Sequence, residues 1–241
     1  MWETYWLYYI LGIILLPGIL LGIYAQAKVN TNYNKYSKVL SKKGITGAQV
    51  ARLILDTAGL TDYNVVKISG KLSDNFNPKT KTVSLSQEVY DSTSVASLGI
   101  ASHEVGHALQ YANNYAPMKA RTVAVQTTNF ASVFLWPIIV LGLLFDFVIF
   151  TNSIVGDIFL IAGVTFFALA VIVDLVTLPV EFNESNRAKK ILGDSSICDR
   201  DEMVGVNKVL NAAALTYVAS LVVSILNLLR FVLVFTSRKR D

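Results

Sequence analysis

Ser102-His103-Glu104-Val105-Gly106-His107-Ala108-Leu109-Gln110 is the stretch on which the reading turns. It contains H-E-x-x-H and closes a run, from about Ser92 to Tyr111, that reads as a helix. Residues four apart share a helix face, so both imidazoles can reach one metal ion. Imidazole is a borderline ligand that suits zinc. Glu104 falls beside such an ion rather than on it, where it can take a proton from a bound water. Two neutral histidines plus one carboxylate leave a fourth position open for that water, the arrangement of a catalytic site. His103 and His107 are the only histidines in the chain, so imidazole chemistry is confined to this helix.

The composition around this helix belongs to a membrane protein. The 241 residues are 53% hydrophobic and 16% charged, with mean hydropathy +0.49, against about 25% charged in an average soluble domain. The same numbers exclude disorder, which needs low hydrophobicity and high charge. One cysteine, Cys198, excludes an internal disulfide and a cysteine-based zinc cluster. Residues 4–27, 122–145 and 209–229 carry no charge, and 147–180 carry only Asp157 and Asp174. A span needs about 20 mostly apolar residues. Four spans are expected, at roughly 5–24, 130–150, 156–178 and 212–235. Trp2, Tyr5, Trp6, Tyr8 and Tyr9 form an aromatic belt at the first. That span is read as an anchor rather than a signal peptide, because no Lys or Arg precedes it.

The expected fold is a mainly α integral membrane protein with about four transmembrane helices. A small α+β catalytic part carries a short β-hairpin edging the zinc helix. The segments are an anchor (1–27), a catalytic region (28–129), a transmembrane hairpin (130–180), a helical segment bearing the third ligand (181–211), and a final span with a basic tail (212–241). Within the second, Lys28 to Lys43 reads as a basic helix on the membrane surface, ended by Gly44. Thr46 and Gln49 have capping-box spacing, and Gly59 ends that helix. Residues 63–69 read as a strand. Leu72–Phe76 and Lys81–Ser86 flank Asn77-Pro78-Lys79-Thr80 as a hairpin. Lys81–Ser86 is the candidate strand for pairing with an extended substrate.

The motif lacks its third ligand, and Gln110 to Met118 offers none. Two membrane crossings return the chain to the side it left, at Pro179-Val180-Glu181-Phe182-Asn183-Glu184-Ser185, where Pro179 is read as the membrane exit. Glu181 is the expected third ligand. Glu184, one helical turn on, is its rival, and only contacts can separate the two. Tyr90, Tyr111 and Tyr115 are candidates for an oxyanion hydrogen bond. Asp174, ionisable inside a span, is a functional candidate by position.

HEVGHALQ, LPVEFNESNRA and the segment Ser73–Leu109 together resemble the neutral zinc metallopeptidases of bacterial membranes, the YugP-like family, over nearly the whole chain. More distantly the chain is similar to the HtpX-type membrane gluzincins. Their E-F-x-A-D pattern, laid on EFNES, implies Glu181 as the ligand and Glu184 at a non-ligating position. Ser185 then stands where the pattern has an Asp that supports a ligand histidine. Ser185, Asn183, Asn186 or Asp174 are the alternatives for that support. The resemblance implies a zinc metalloendopeptidase holding one Zn2+ through His103, His107 and Glu181, with Glu104 as base.

The expected partners are a peptide or protein substrate, membrane proteins included, and membrane lipid, with no nucleic acid. Of 21 Lys and Arg, 12 lie in 28–121 and 5 in 187–208, which puts the catalytic side in the cytoplasm by the positive-inside rule. Two other readings compete. One is a site-2-type intramembrane protease with Asp174 as ligand. The other is a metal-binding membrane adaptor without activity.

Overall fold

A computed structural model describes residues 12–148 and 154–238. After a 3-10 turn, Ile13–Leu15, seven helices and three strands follow: α1 Leu16–Tyr36, α2 Gly47–Thr57, β1 Asn64–Ile68, β2 Asn75–Asn77, β3 Thr82–Ser86, α3 Gln87–Tyr90, α4 Val95–Ala112, α5 Ala116–Val148, α6 Ile154–Asp194 and α7 Arg200–Arg238. The chain divides into two compact units. One holds residues 24–119 and 179–216; the other holds the remainder of the long helices.

In the first unit, α2 begins where Thr46 and Gln49 close the expected capping box. The Thr46 hydroxyl accepts from the Gln49 backbone N–H at 3.2 Å, and the Gln49 side-chain oxygen accepts from the Thr46 N–H at 2.8 Å. Val50, Ala51, Ile54 and Leu55 form its buried stripe. Gly59, at φ +73, makes the left-handed turn that ends it. Helix α4 starts at Ser94, whose side chain accepts from the Ser97 N–H at 3.2 Å. It is buried on nearly every face, as a central helix must be. Leu55, Leu85, Leu98, Leu192 and Leu210 bring α2, β3, α4, α6 and α7 into one core.

The sheet runs β1-β3-β2, with β1 parallel and β2 antiparallel to β3. The expected hairpin is present, with a shorter first arm that takes in Asn77. The expected substrate strand is corrected. β3 is the central strand, paired on both sides, and its end beyond β2 is covered by Asp74, which accepts from the Ser86 N–H at 2.7 Å. β2 is the edge strand that meets α4, its Phe76 ring 6.0 Å from that of Tyr111.

Two further expectations are corrected. Lys28–Lys43 is no separate surface helix: α1 runs unbroken to Tyr36, and Tyr33 and Tyr36 bury against Ala96 and Val209. Pro179 does not end a helix but lies inside the 41-residue α6. Proline removes one N–H from the ladder, a loss that long membrane helices absorb.

In the second unit, Leu160, Phe231 and Val234 form a small cluster. Gly163 lets Phe231 approach so closely that a Cβ there would stand 2.7 Å from its ring. Asp174 accepts hydrogen bonds from Ser220 (3.1 Å) and Ser224 (2.5 Å) on α7. Among the described residues three helices are long and apolar enough to cross a membrane: Ile13–Tyr36, Ile158–Asp194 and Arg200–Ser237. The expected span at 130–150 falls in α5 and runs into residues 149–153, outside the described set. The aromatic residues before Gly12 and the tail after Arg238 also lie outside it.

Candidate metal centre

Helix α4 carries His103 and His107 one turn apart, with ring centroids 5.1 Å from each other. Helix α6 brings Glu181 and Glu184 against them. Glu181 is 1% exposed, and its two carboxylate oxygens face the two Nε2 atoms. Oε2 is 3.6 Å from Nε2 of His103, and Oε1 is 3.7 Å from Nε2 of His107. Glu184 sits on the far side of the His103 ring, with Oε2 2.5 Å from Nδ1. The two nitrogens of an imidazole point away from each other. An ion held at Nε2 is therefore within reach of Glu181, while Glu184 grips the back of the ring.

One backbone position makes this approach possible. Gly106, the second variable residue of H-E-x-x-H, lies under Glu184. A Cβ there would meet the Glu184 Cγ and Oε1 at 2.8 Å. Glycine at 106 thus serves close helix contact rather than backbone freedom.

The atoms behind the two histidines differ. At His103, the Ser185 hydroxyl lies 3.3 Å from Nδ1, beside the Glu184 carboxylate. At His107, Nδ1 is 3.1 Å from Oε1 of Gln110, a residue with no exposure at all. Gln110 donates in turn to the Val180 carbonyl at 2.8 Å and to the Asn183 side-chain oxygen at 3.1 Å. Arg187 donates to that same oxygen at 2.8 Å and lies over the Tyr115 ring.

Glu104 is also buried, at 8% exposure. Burial alone would lower the pKa of His103. The carboxylate of Glu184 on Nδ1, with Glu104 and Glu181 close by, outweighs it and holds the pKa up to about 9. Three carboxyl groups and two imidazoles share one buried pocket. The candidate ligand atoms of His103, His107, Glu181 and Glu184 all lie within 4.8 Å of one another, a nitrogen and oxygen set that fits a zinc ion.

The structure brings His103, His107, Glu181 and Glu184 together, with Glu104 buried nearby. Of the candidate supports, Ser185 reaches His103 and Asn183 reaches Gln110, while Asn186 is exposed. Asp174 is engaged by the two serines of α7. Tyr111 packs tilted against Phe76, Tyr115 lies under Arg187, and Tyr90 lies under Lys67. Sequence reasoning missed Gln110 and the grip of Glu184. For Gln110 a signal existed, since it stands three residues after His107 and shares its helix face.

A family model described as "Putative neutral zinc metallopeptidase" matches residues 11–236. The curated protein named "Putative membrane protease YugP" of Bacillus subtilis (strain 168) is 44% identical over 222 residues, covering 92% of this chain and 94% of that protein. No solved structure matches.

Proposed function

Because the chain belongs to the neutral zinc metallopeptidase family, we propose that it is a membrane-anchored zinc metalloendopeptidase in which His103, His107 and Glu181 hold one zinc ion and Glu104 is the general base. The observation that carries this reading is the convergence of the His103 and His107 Nε2 atoms on the Glu181 carboxylate, at 3.6 and 3.7 Å. Zinc bound there supplies a Lewis acid that polarises a peptide carbonyl and makes water acidic near neutral pH. Glu104 takes the proton of the attacking water and passes it to the departing amine. Its burial keeps bulk water from competing for that proton. Glu184 and Ser185 orient His103 from behind.

The substrate this reading expects is an extended peptide. The outer edge of β2, beside α4, offers backbone groups to pair with it. The chain is read as multi-pass, with the site on the cytoplasmic side, from the excess of Lys and Arg in 28–121 and 187–208. Its substrates are peptides or proteins, membrane proteins among them.

The test is cleavage of an unfolded protein by detergent-purified wild type and Glu104→Gln, matched for zinc. Wild type should cleave and the variant should lose at least about a hundredfold in rate while holding the same zinc. Equal cleavage by both would end the assignment of Glu104. Zinc-loaded wild type that cleaves nothing, yet copurifies with a fixed partner, would favour the adaptor.

A further inference from the structure

We infer that Gln110 is a positioning residue that fixes the proton of His107 on Nδ1 and thereby aims the bare Nε2 at Glu181. The inference rests on the zinc reading only for its consequence, not for its geometry. Arg187 fixes the orientation of the neighbouring amides. Its Nε can only donate, so the Asn183 atom that receives it at 2.8 Å is the carbonyl oxygen. The Val180 carbonyl is likewise only an acceptor. The Gln110 atom lying 2.8 Å from Val180 O and 3.1 Å from Asn183 Oδ1 must therefore be the amide nitrogen. The other end of the amide, 3.1 Å from His107 Nδ1, is then the oxygen. An oxygen acceptor facing Nδ1 demands a proton there. In a neutral ring that leaves Nε2 as the lone-pair nitrogen, the atom a metal ion needs.

His103 and His107 are thus set by different devices. A carboxylate, Glu184, grips His103, whereas a neutral amide locked by two acceptors holds His107. The amide adds no negative charge to a pocket that already holds Glu104, Glu181 and Glu184. It also ties the ring on α4 to Val180, the neighbour of Glu181 on α6.

The experiment uses the full-length protein in lipid vesicles as wild type, Gln110→Met and Gln110→Glu. Two readouts are taken. The first is the nitrogen-15 spectrum of the imidazoles without metal and with both rings neutral, made simple by there being only two histidines. The second is the zinc dissociation constant by chelator competition. Wild type should carry the His107 proton on Nδ1. Gln110→Met should move it to Nε2, partly or wholly, and raise the zinc dissociation constant about 10- to 100-fold. Gln110→Glu keeps an acceptor for Nδ1, though it loses the donor to Val180 and Asn183, and should hold the proton on Nδ1 where Gln110→Met does not.

Equal weakening in the two variants, with the proton still on Nδ1, would overturn the inference and leave Gln110 a mere brace between helices. If Gln110→Met does not fold, Asn183→Ala carries the comparison. The Val180 carbonyl still fixes the amide, so the Nδ1 proton and zinc binding should survive, and loss of both would overturn it. Wild type with its Nδ1 proton in place but no affinity for zinc would support the role of Gln110 and sink the zinc reading instead.

Discussion

Leu98 on α4 is fully buried, whereas Leu175 on α6 is 52% exposed. Each lies in a different unit of the chain. Around α4 the leucines converge on one core, and the charged side chains Lys42, Arg52, Asp62 and Lys81 face outward in ion pairs. Along the long helices Ile158, Ile161, Ile172 and Leu175 face outward instead. Water drives apolar groups inward in the first case. In the second, lipid is as apolar as leucine, so outward apolar faces cost nothing and packing supplies the association. Polar groups follow the inverse rule. In the first unit buried Glu181, Glu184 and Gln110 form a site; in the second the carboxylate of Asp174 is held by two serines.

The sharpest way to break this contrast is to remove a carboxylate from each unit. Glu181→Ala should abolish stoichiometric zinc binding. Asp174→Ala should leave zinc bound and cost about 1 kcal/mol of helix association. Zinc content of the purified variants, measured by atomic absorption, decides between them. Zinc lost from Asp174→Ala but kept in Glu181→Ala would place the metal within the membrane and restore the intramembrane reading.

A smaller effect separates the two leucines. Leu98→Ala empties a fully enclosed volume and should destabilise the first unit by about 2–5 kcal/mol. Leu175→Ala exchanges one lipid-facing apolar side chain for another and should stay within about 0.5 kcal/mol. Thermal unfolding in a mild detergent reads both. Equal losses would mean that Leu175 is covered by another helix, in a second copy of the chain or a partner.

The parts of the fold that were legible in the sequence are those fixed by near neighbours. Thr46 and Gln49 announced α2 because a capping box is complete within four residues. His103 and His107 announced the site because one helix turn suffices to join them. What could not be read depends on distant partners. The basic stretch after Lys28 resembled a membrane-surface helix, yet Tyr33 and Tyr36 bury against Ala96 and Val209. An apolar stripe cannot say whether lipid or protein will cover it. β3 looked like an edge because its parallel partner β1 is joined to it by a connection that leaves no local trace. Glu181 and Glu184, three residues apart, share a face. Only the imidazole nitrogen each one meets separates ligand position from support.

Cys198 offers the gentlest probe of the contrast. It lies between α6 and α7, the two longest helices, and is buried against the core around α4. Burial pushes its thiol pKa up to about 12, with the carboxylates of Glu202 and Asp199 adding to the rise. Only the thiolate reacts with alkylating reagents. At about pH 8 the ionised fraction should then be on the order of a thousand times smaller than for a free cysteine. Native protein should therefore resist iodoacetamide and react promptly once denatured. The native rate should climb roughly tenfold for each pH unit, because the thiolate fraction does so below the pKa. Mass spectrometry of timed samples measures both. Fast labelling of native protein at neutral pH would show that the core opens where α6 passes into α7, and that the water-facing unit is closed around α4 alone.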